Sequence, residues 1–193
     1  MDELAWHLMF RTDDDRVIAP GTAKRRTLAS TVYRVGEPFR LLSFGAADNH
    51  LHVVACCDRQ EAGRLAQSLC SALRWRLLLP VPFLPVRMKP ILEQAHLINV
   101  FHYCLSQRDR HGVQSDPFLD ASSLPELLGA RVLPTDCQRR VGELLPRISR
   151  DRLLLHLGPR ELVPTSDMIE PLDAAAGAPG LADLDGHPRQ ALP

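Results

Sequence analysis

The segments FRLLSFGA (39–46) and HLHVVACC (50–57), joined by ADN (47–49), decide the fold of this chain. Both are short apolar runs that suit a pleated surface, and the Asp-Asn connection supplies turn chemistry, so together they read as an antiparallel hairpin. Outward toward the C-terminus, Asp58 stands where a helix N-cap belongs, and Ala62, Leu65, Ala66, Leu69 and Leu73 recur at helical spacing up to about Leu78. Toward the N-terminus, Leu4 to Arg11 reads as a strand and Asp13-Asp14-Asp15 as a solvated turn. Lys24 to Arg34 reads as a helix entered through Pro20-Gly21, with Thr22 as its cap. Leu84 to Met88, set among Pro80, Pro82 and Pro85, suits an edge strand, where proline is tolerated. Ile91 to Arg108 reads as a third helix with Leu97, Val100, Phe101 and Cys104 on its core face.

The resulting order is strand, helix, strand, strand, helix, strand, helix. Its first six elements match an α+β, ferredoxin-like antiparallel sheet with helices on one face. The third helix is an addition, and its placement decides function. Beyond residue 113, Ser122 to Leu128 and Thr135 to Leu157 read as short helices, a small C-terminal helical extension. From Pro164 the composition shifts to Ala, Gly, Pro and Asp. The expected organisation is therefore a main α+β domain over 1–113, a helical extension over 114–162 and a disordered tail over 163–193.

Of 193 residues, 45% are hydrophobic and 24% charged, which excludes a disordered or fibrous chain. No stretch reaches the roughly 18 apolar residues of a membrane span, and the acidic start lacks a secretory layout, so a cytoplasmic protein with no membrane partner is expected. Five cysteines without a C-x-x-C pair read as reduced packing residues. The zero net charge hides an asymmetry: residues 1–113 hold 15 Lys and Arg against 11 Asp and Glu, and residues 114–193 hold 8 against 12. The basic part carries the motifs.

In the strand beginning Asn49-His50-Leu51-His52, side chains alternate, so His50 and His52 share one face about 6–7 Å apart along the chain. Two imidazoles presented together suit one ion such as Mn²⁺ or Zn²⁺. On the third helix, His96, Asn99, Tyr103 and Gln107 form a polar stripe bordering the apolar face. A tyrosine there can act as nucleophile and a glutamine carbonyl oxygen as a third ligand. Lys24-Arg25-Arg26, Arg74-Trp75-Arg76 and the pair Arg87 and Lys89 are short basic clusters, and Arg74 and Arg76 flank an indole able to stack a base. His7 reads as a packed or edge histidine and His102 as solvent-facing; His111, His156 and His187 receive no role.

The pattern Asn49-His50-Leu51-His52, followed some fifty residues later by Tyr103-Cys104-Leu105-Ser106-Gln107, resembles the signature of the single-tyrosine HUH transposases, which include the small insertion-sequence and the REP-associated tyrosine transposases. Trp6-His7-Leu8-Met9-Phe10-Arg11-Thr12 resembles their opening strand, and the likeness spans residues 5–113. Ala46-Ala47-Asp48 and Ser106-Gln107-Arg108 depart from residues common in those relatives. The resemblance implies a DNA strand transferase in which His50, His52 and Gln107 hold Mg²⁺ or Mn²⁺ and Tyr103 attacks the scissile phosphate of single-stranded or hairpin DNA. It also implies the basic clusters as DNA contacts, and leaves open a homodimer that exchanges helices. A host-adopted, non-catalytic DNA-binding module of the same fold is the alternative.

Overall fold

The computed structural model describes residues 3–112, 116–131 and 135–157. The expected disordered tail lies outside these. A four-stranded, wholly antiparallel sheet is built from β1 (Ala5–Arg11), β2 (Leu41–Ala46), β3 (His50–Ala55) and β4 (Arg87–Ile91), in the order β2-β3-β1-β4. With α1 (Gly21–Gly36) after β1 and α2 (Arg59–Leu77) after β3, this is the ferredoxin-like α+β arrangement. Among the described residues no helix is long and apolar enough to cross a membrane.

Strand alternation sorts the chemistry. Trp6, Leu8 and Phe10 of β1 and Leu51, Val53 and Ala55 of β3 are buried on one face, which α1 and α2 cover with Leu28, Val32, Leu65, Leu69 and Leu73. His7, Met9 and Arg11, paired with Val54, His52 and His50, lie on the other face. There α3 (Gln94–Leu105) packs, held against β2 by an approach that only glycine permits: a Cβ built on Gly45 would stand 1.8 Å from the Cys104 carbonyl oxygen.

Several local readings move by a few residues for identifiable reasons. Asp58 caps α2 as expected, in a full capping box with Glu61. Thr22 does not cap α1: the N-cap position is Pro20, no side chain bonds the first turn, and Gly21 enters at φ +75°. The edge strand is Arg87–Ile91 rather than 84–88, with Pro90 opposite Trp6 on the open edge. The third helix is interrupted: α3 stops at Leu105, and a separate turn, α4 (Gln107–Arg110), follows Ser106. Ser106 Oγ and Gln107 Nε2 both donate to the Tyr103 carbonyl, at 3.2 and 2.7 Å.

The extension is tied to the outer edge of β2. Ala46 N–H donates to Ala121 O at 2.9 Å and Ser123 N–H to Phe44 O at 3.0 Å, so residues 121–123 cover an otherwise open strand. Short helices α5 (Leu124–Leu127), α6 (Cys137–Leu144) and α7 (Arg150–Leu154) follow, with Arg140 donating to Leu41 O at 2.8 Å and pairing with Glu37. All five cysteines are free; all but Cys70 are buried.

Candidate active site

Four sequence-nominated residues meet within one chain on the α3 face of the sheet. The Tyr103 ring stands edge-on to His52 with centroids 4.9 Å apart, His50 and His52 are edge-on at 4.9 Å, and Gln107 Oε1 lies 3.2 Å from His50 Nε2. The break at Ser106 aims the glutamine: its amide nitrogen is committed to the Tyr103 carbonyl, so its oxygen is the end that faces the imidazole. Gln107 is 1% exposed. Beside this group is a cavity of about 310 Å³ lined by Met9, Arg11, His50, His52, Leu84, Pro85, Arg87 and Tyr103.

The donor set fits a cation. A neutral imidazole carries one N–H, yet His50 faces acceptor oxygens on both nitrogens, Asn49 Oδ1 at 2.7 Å and Gln107 Oε1 at 3.2 Å. Burial, reinforced by His111, lowers the His50 pKa and opposes a second proton. One contact therefore sets acceptor against acceptor, which a positive ion between them resolves; neighbouring ligands of an octahedral ion with bonds of ~2.1 Å lie about 3.0 Å apart. His52, 1% exposed, leaves Nε2 buried without a partner while its Nδ1 meets His7 Nε2 at 2.9 Å. Among the described residues no group of three His, Cys, Asp or Glu side chains could hold a metal. An ion here depends on the glutamine amide.

Two histidines that the sequence reading set aside belong to this site. His7 faces His52, and His111 stacks edge-on against His50 at 4.7 Å. His7 was legible in principle, since antiparallel alternation puts it on the face of His50 and His52 once β1 and β3 pair; His111 follows a break no periodicity announces. His102 is half-buried rather than solvent-facing, and His156, given no role, meets it at 2.9 Å.

Burial, with Lys89 next, brings His7 down to about 4, and burial, with His7 next, brings His52 down to about 3. In the unfolded chain both titrate near 6.5. Between pH 6.5 and 4 the unfolded state therefore binds more protons, and the metal-free protein loses stability as pH falls through that window. At about 1.4 kcal/mol per unit for each, halved because the two titrate as a pair, the loss is on the order of 3 kcal/mol. Thermal melts from pH 7 to 4 check this: the melting temperature falls steadily in the wild type and less in His7→Gln, and equal slopes would contradict the His7–His52 coupling.

The basic clusters separate. Arg87 lines the cavity and Lys89, opposite His7 in register, shares its face. Lys24 and Arg26 are exposed on α1. Arg74, Trp75 and Arg76 lie in the last turn of α2, which covers the opposite face, and Trp75 is 80% exposed. Arg25 is removed from the phosphate-binding set: it is 4% exposed and paired with equally buried Asp120. The Asp13–Asp15 turn holds no ligand cluster, because Asp14 pairs with Arg16 and Asp15 with Arg11.

Fold and site together define a ferredoxin-like protein with a paired-histidine strand facing a helical tyrosine. No protein-family profile and no curated protein sequence matches the chain. A solved REP-associated tyrosine transposase bound to a REP hairpin is similar in structure, with a TM-score of 0.55 and 12% identity over 69% of this chain and 84% of that one. At that identity the likeness establishes the fold.

Proposed function

We propose that this protein is a metal-dependent, single-stranded DNA endonuclease and strand transferase of the single-tyrosine HUH kind, acting in transposition or recombination. The observation that carries the reading is the convergence of Tyr103, His50, His52 and Gln107 in one contacting cluster, with His52 Nε2 and the His50–Gln107 contact unsatisfied by protein alone. The hairpin-bound structural neighbour supports hairpin DNA as substrate.

His50, His52 and Gln107 would hold Mg²⁺ or Mn²⁺, which when bound offsets charge on the scissile phosphate. Tyr103 Oη attacks phosphorus, the bond to the 3′-oxygen breaks, and a 5′-phosphotyrosine link and free 3′-hydroxyl remain. Because that link conserves the phosphodiester's energy, a second strand's 3′-hydroxyl reverses the step and joins without ATP. Arg110, whose guanidinium lies 5.0 Å from the Tyr103 ring centroid, places positive charge beside the attacking group. Arg87 lines the pocket, Lys89 stands opposite His7 on the same face of the sheet, and both meet backbone phosphates.

The test incubates the full chain with hairpin-bearing single-stranded oligonucleotides and Mn²⁺ and maps any denaturant-resistant adduct by mass spectrometry. An adduct on the Tyr103 peptide that chelator abolishes is expected. Tight hairpin binding with no nick at any Mn²⁺ concentration would favour the non-catalytic module, and an adduct on another residue would overturn the nucleophile assignment.

A further inference from the structure

We propose that the C-terminal extension completes a second strand-holding cleft on the other flank of Tyr103, in which Arg110 and Arg152 take backbone phosphates of the same single-stranded DNA beyond the scissile position. The proposal rests on the reading of Tyr103 as the residue that a DNA strand passes.

A strand attacked at one phosphate continues on both sides of it, and the protein needs a surface for each side. The cavity bounded by His50, His52 and Arg87 is one. Tyr103 also lines a larger cavity, about 620 Å³, whose other walls are Asn99, His102, Ser106 and Arg110 from the α3–α4 segment and Arg152, Leu155 and His156 from the extension. Its chemistry suits a polyanion with bases. Two guanidiniums, two imidazoles, an amide and a hydroxyl face it, and no carboxylate is among the lining residues. Neither Arg110 nor Arg152 has a carboxylate partner among the described residues. Asp109, near His156, is engaged by Arg108 at 2.8 Å. Leu155, 78% exposed, offers apolar surface to a base.

The wall is fixed rather than incidental. His102 Nδ1 and His156 Nε2 meet at 2.9 Å with rings stacked at 5.1 Å, Arg108 donates to Leu157 O at 2.9 Å, and Leu153 is buried beneath. The extension thus reaches from the β2 edge to the nucleophile's helix, and Arg152 is the cation it contributes there.

Backbone contacts carry little sequence information, so oligo(dT) is an adequate probe. Fluorescence anisotropy of labelled dT12 across a salt series compares wild type with Arg152→Ala, Arg110→Ala and Arg150→Ala, the last removing the same charge from an exposed position of α7 outside the cleft. Arg152→Ala and Arg110→Ala are each expected to weaken binding about 3- to 10-fold and to flatten the salt slope by ~0.7, one phosphate's share on a single strand, while Arg150→Ala leaves both unchanged. Equal effects of Arg150→Ala and Arg152→Ala, or none from Arg152→Ala, overturn the cleft. The two readings fail separately: a Tyr103 adduct in the wild type with dT12 binding indifferent to Arg152 sinks the cleft alone, whereas Arg152-dependent binding without any adduct sinks strand transfer.

Discussion

Gly45→Ala is expected to lower the melting temperature by about 6–12 °C and to cut adduct formation at Tyr103 at least 100-fold. The added methyl would stand 1.8 Å from the Cys104 carbonyl oxygen and 2.8 Å from its carbon, both backbone atoms at the end of α3 that no rotamer change can move. On the other side, β2 is fixed by its pairing with β3 and by residues 121–123 along its outer edge. The helix must give way, loosening Leu97, Val100, Phe101 and Cys104 against the sheet. Overpacking of this kind costs about 3 kcal/mol, and each kcal/mol is worth roughly 2–4 °C in a domain of this size. Activity falls further than stability, because α3 carries Tyr103 and leads into Gln107, and a displacement of ~1 Å at reacting groups costs on the order of 100-fold. Gly63→Ala is the control. It lies inside α2 with nothing within 4 Å of the added carbon, and should stabilise by about 0.5–1 kcal/mol. Differential scanning fluorimetry and the adduct assay decide it, and a Gly45→Ala protein that melts with the wild type would disprove the close seating of α3.

This contact also marks where the sequence stops being readable. His50 and His52 share a face because strand periodicity is two, and Asp58 caps a helix because its side chain satisfies an N–H that no other group can; both follow from local rules and both hold in the fold. Which face of the sheet receives α3 is not local. It is set by a missing Cβ at Gly45 and by the β1 residues His7, Met9 and Arg11, which lie on the face that α1 and α2 leave uncovered, and these become visible only after β1, β2 and β3 are paired. The Ser106 break was hidden for a related reason: apolar spacing continues through Cys104 and Leu105, and nothing in it shows that two side chains will compete for the Tyr103 carbonyl. Arg25 sits in a run of three basic residues that reads as one solvated cluster; its partner, Asp120, is 95 positions away. Long-range pairing overrode local composition there.

Arg25→Ala should therefore behave as a core mutation. Arg25 and Asp120 are each 4% exposed, and Arg25 also donates to Ala46 O at 3.4 Å, where β2 ends beside the turn to His50. Truncating the guanidinium breaks a buried charge pair from one side, a change that costs about 3–5 kcal/mol, or roughly 10 °C of melting temperature. The neighbouring Arg26, exposed on the same helix, provides the contrast: Arg26→Ala should leave the melting temperature within a degree or so and act, if anywhere, on DNA affinity. The double variant Arg25→Met, Asp120→Leu discriminates further. Replacing both charges by apolar groups of similar size should recover most of the loss, because the pair's desolvation cost disappears with its attraction. Recovery would place the penalty in the half-broken charge pair and confirm that α1 and the extension meet in a dry interior. If Arg25→Ala melted like Arg26→Ala while weakening oligonucleotide binding, Arg25 would return to the phosphate-binding set, and the seating of residues 120–123 on α1 and β2 would have to be redrawn.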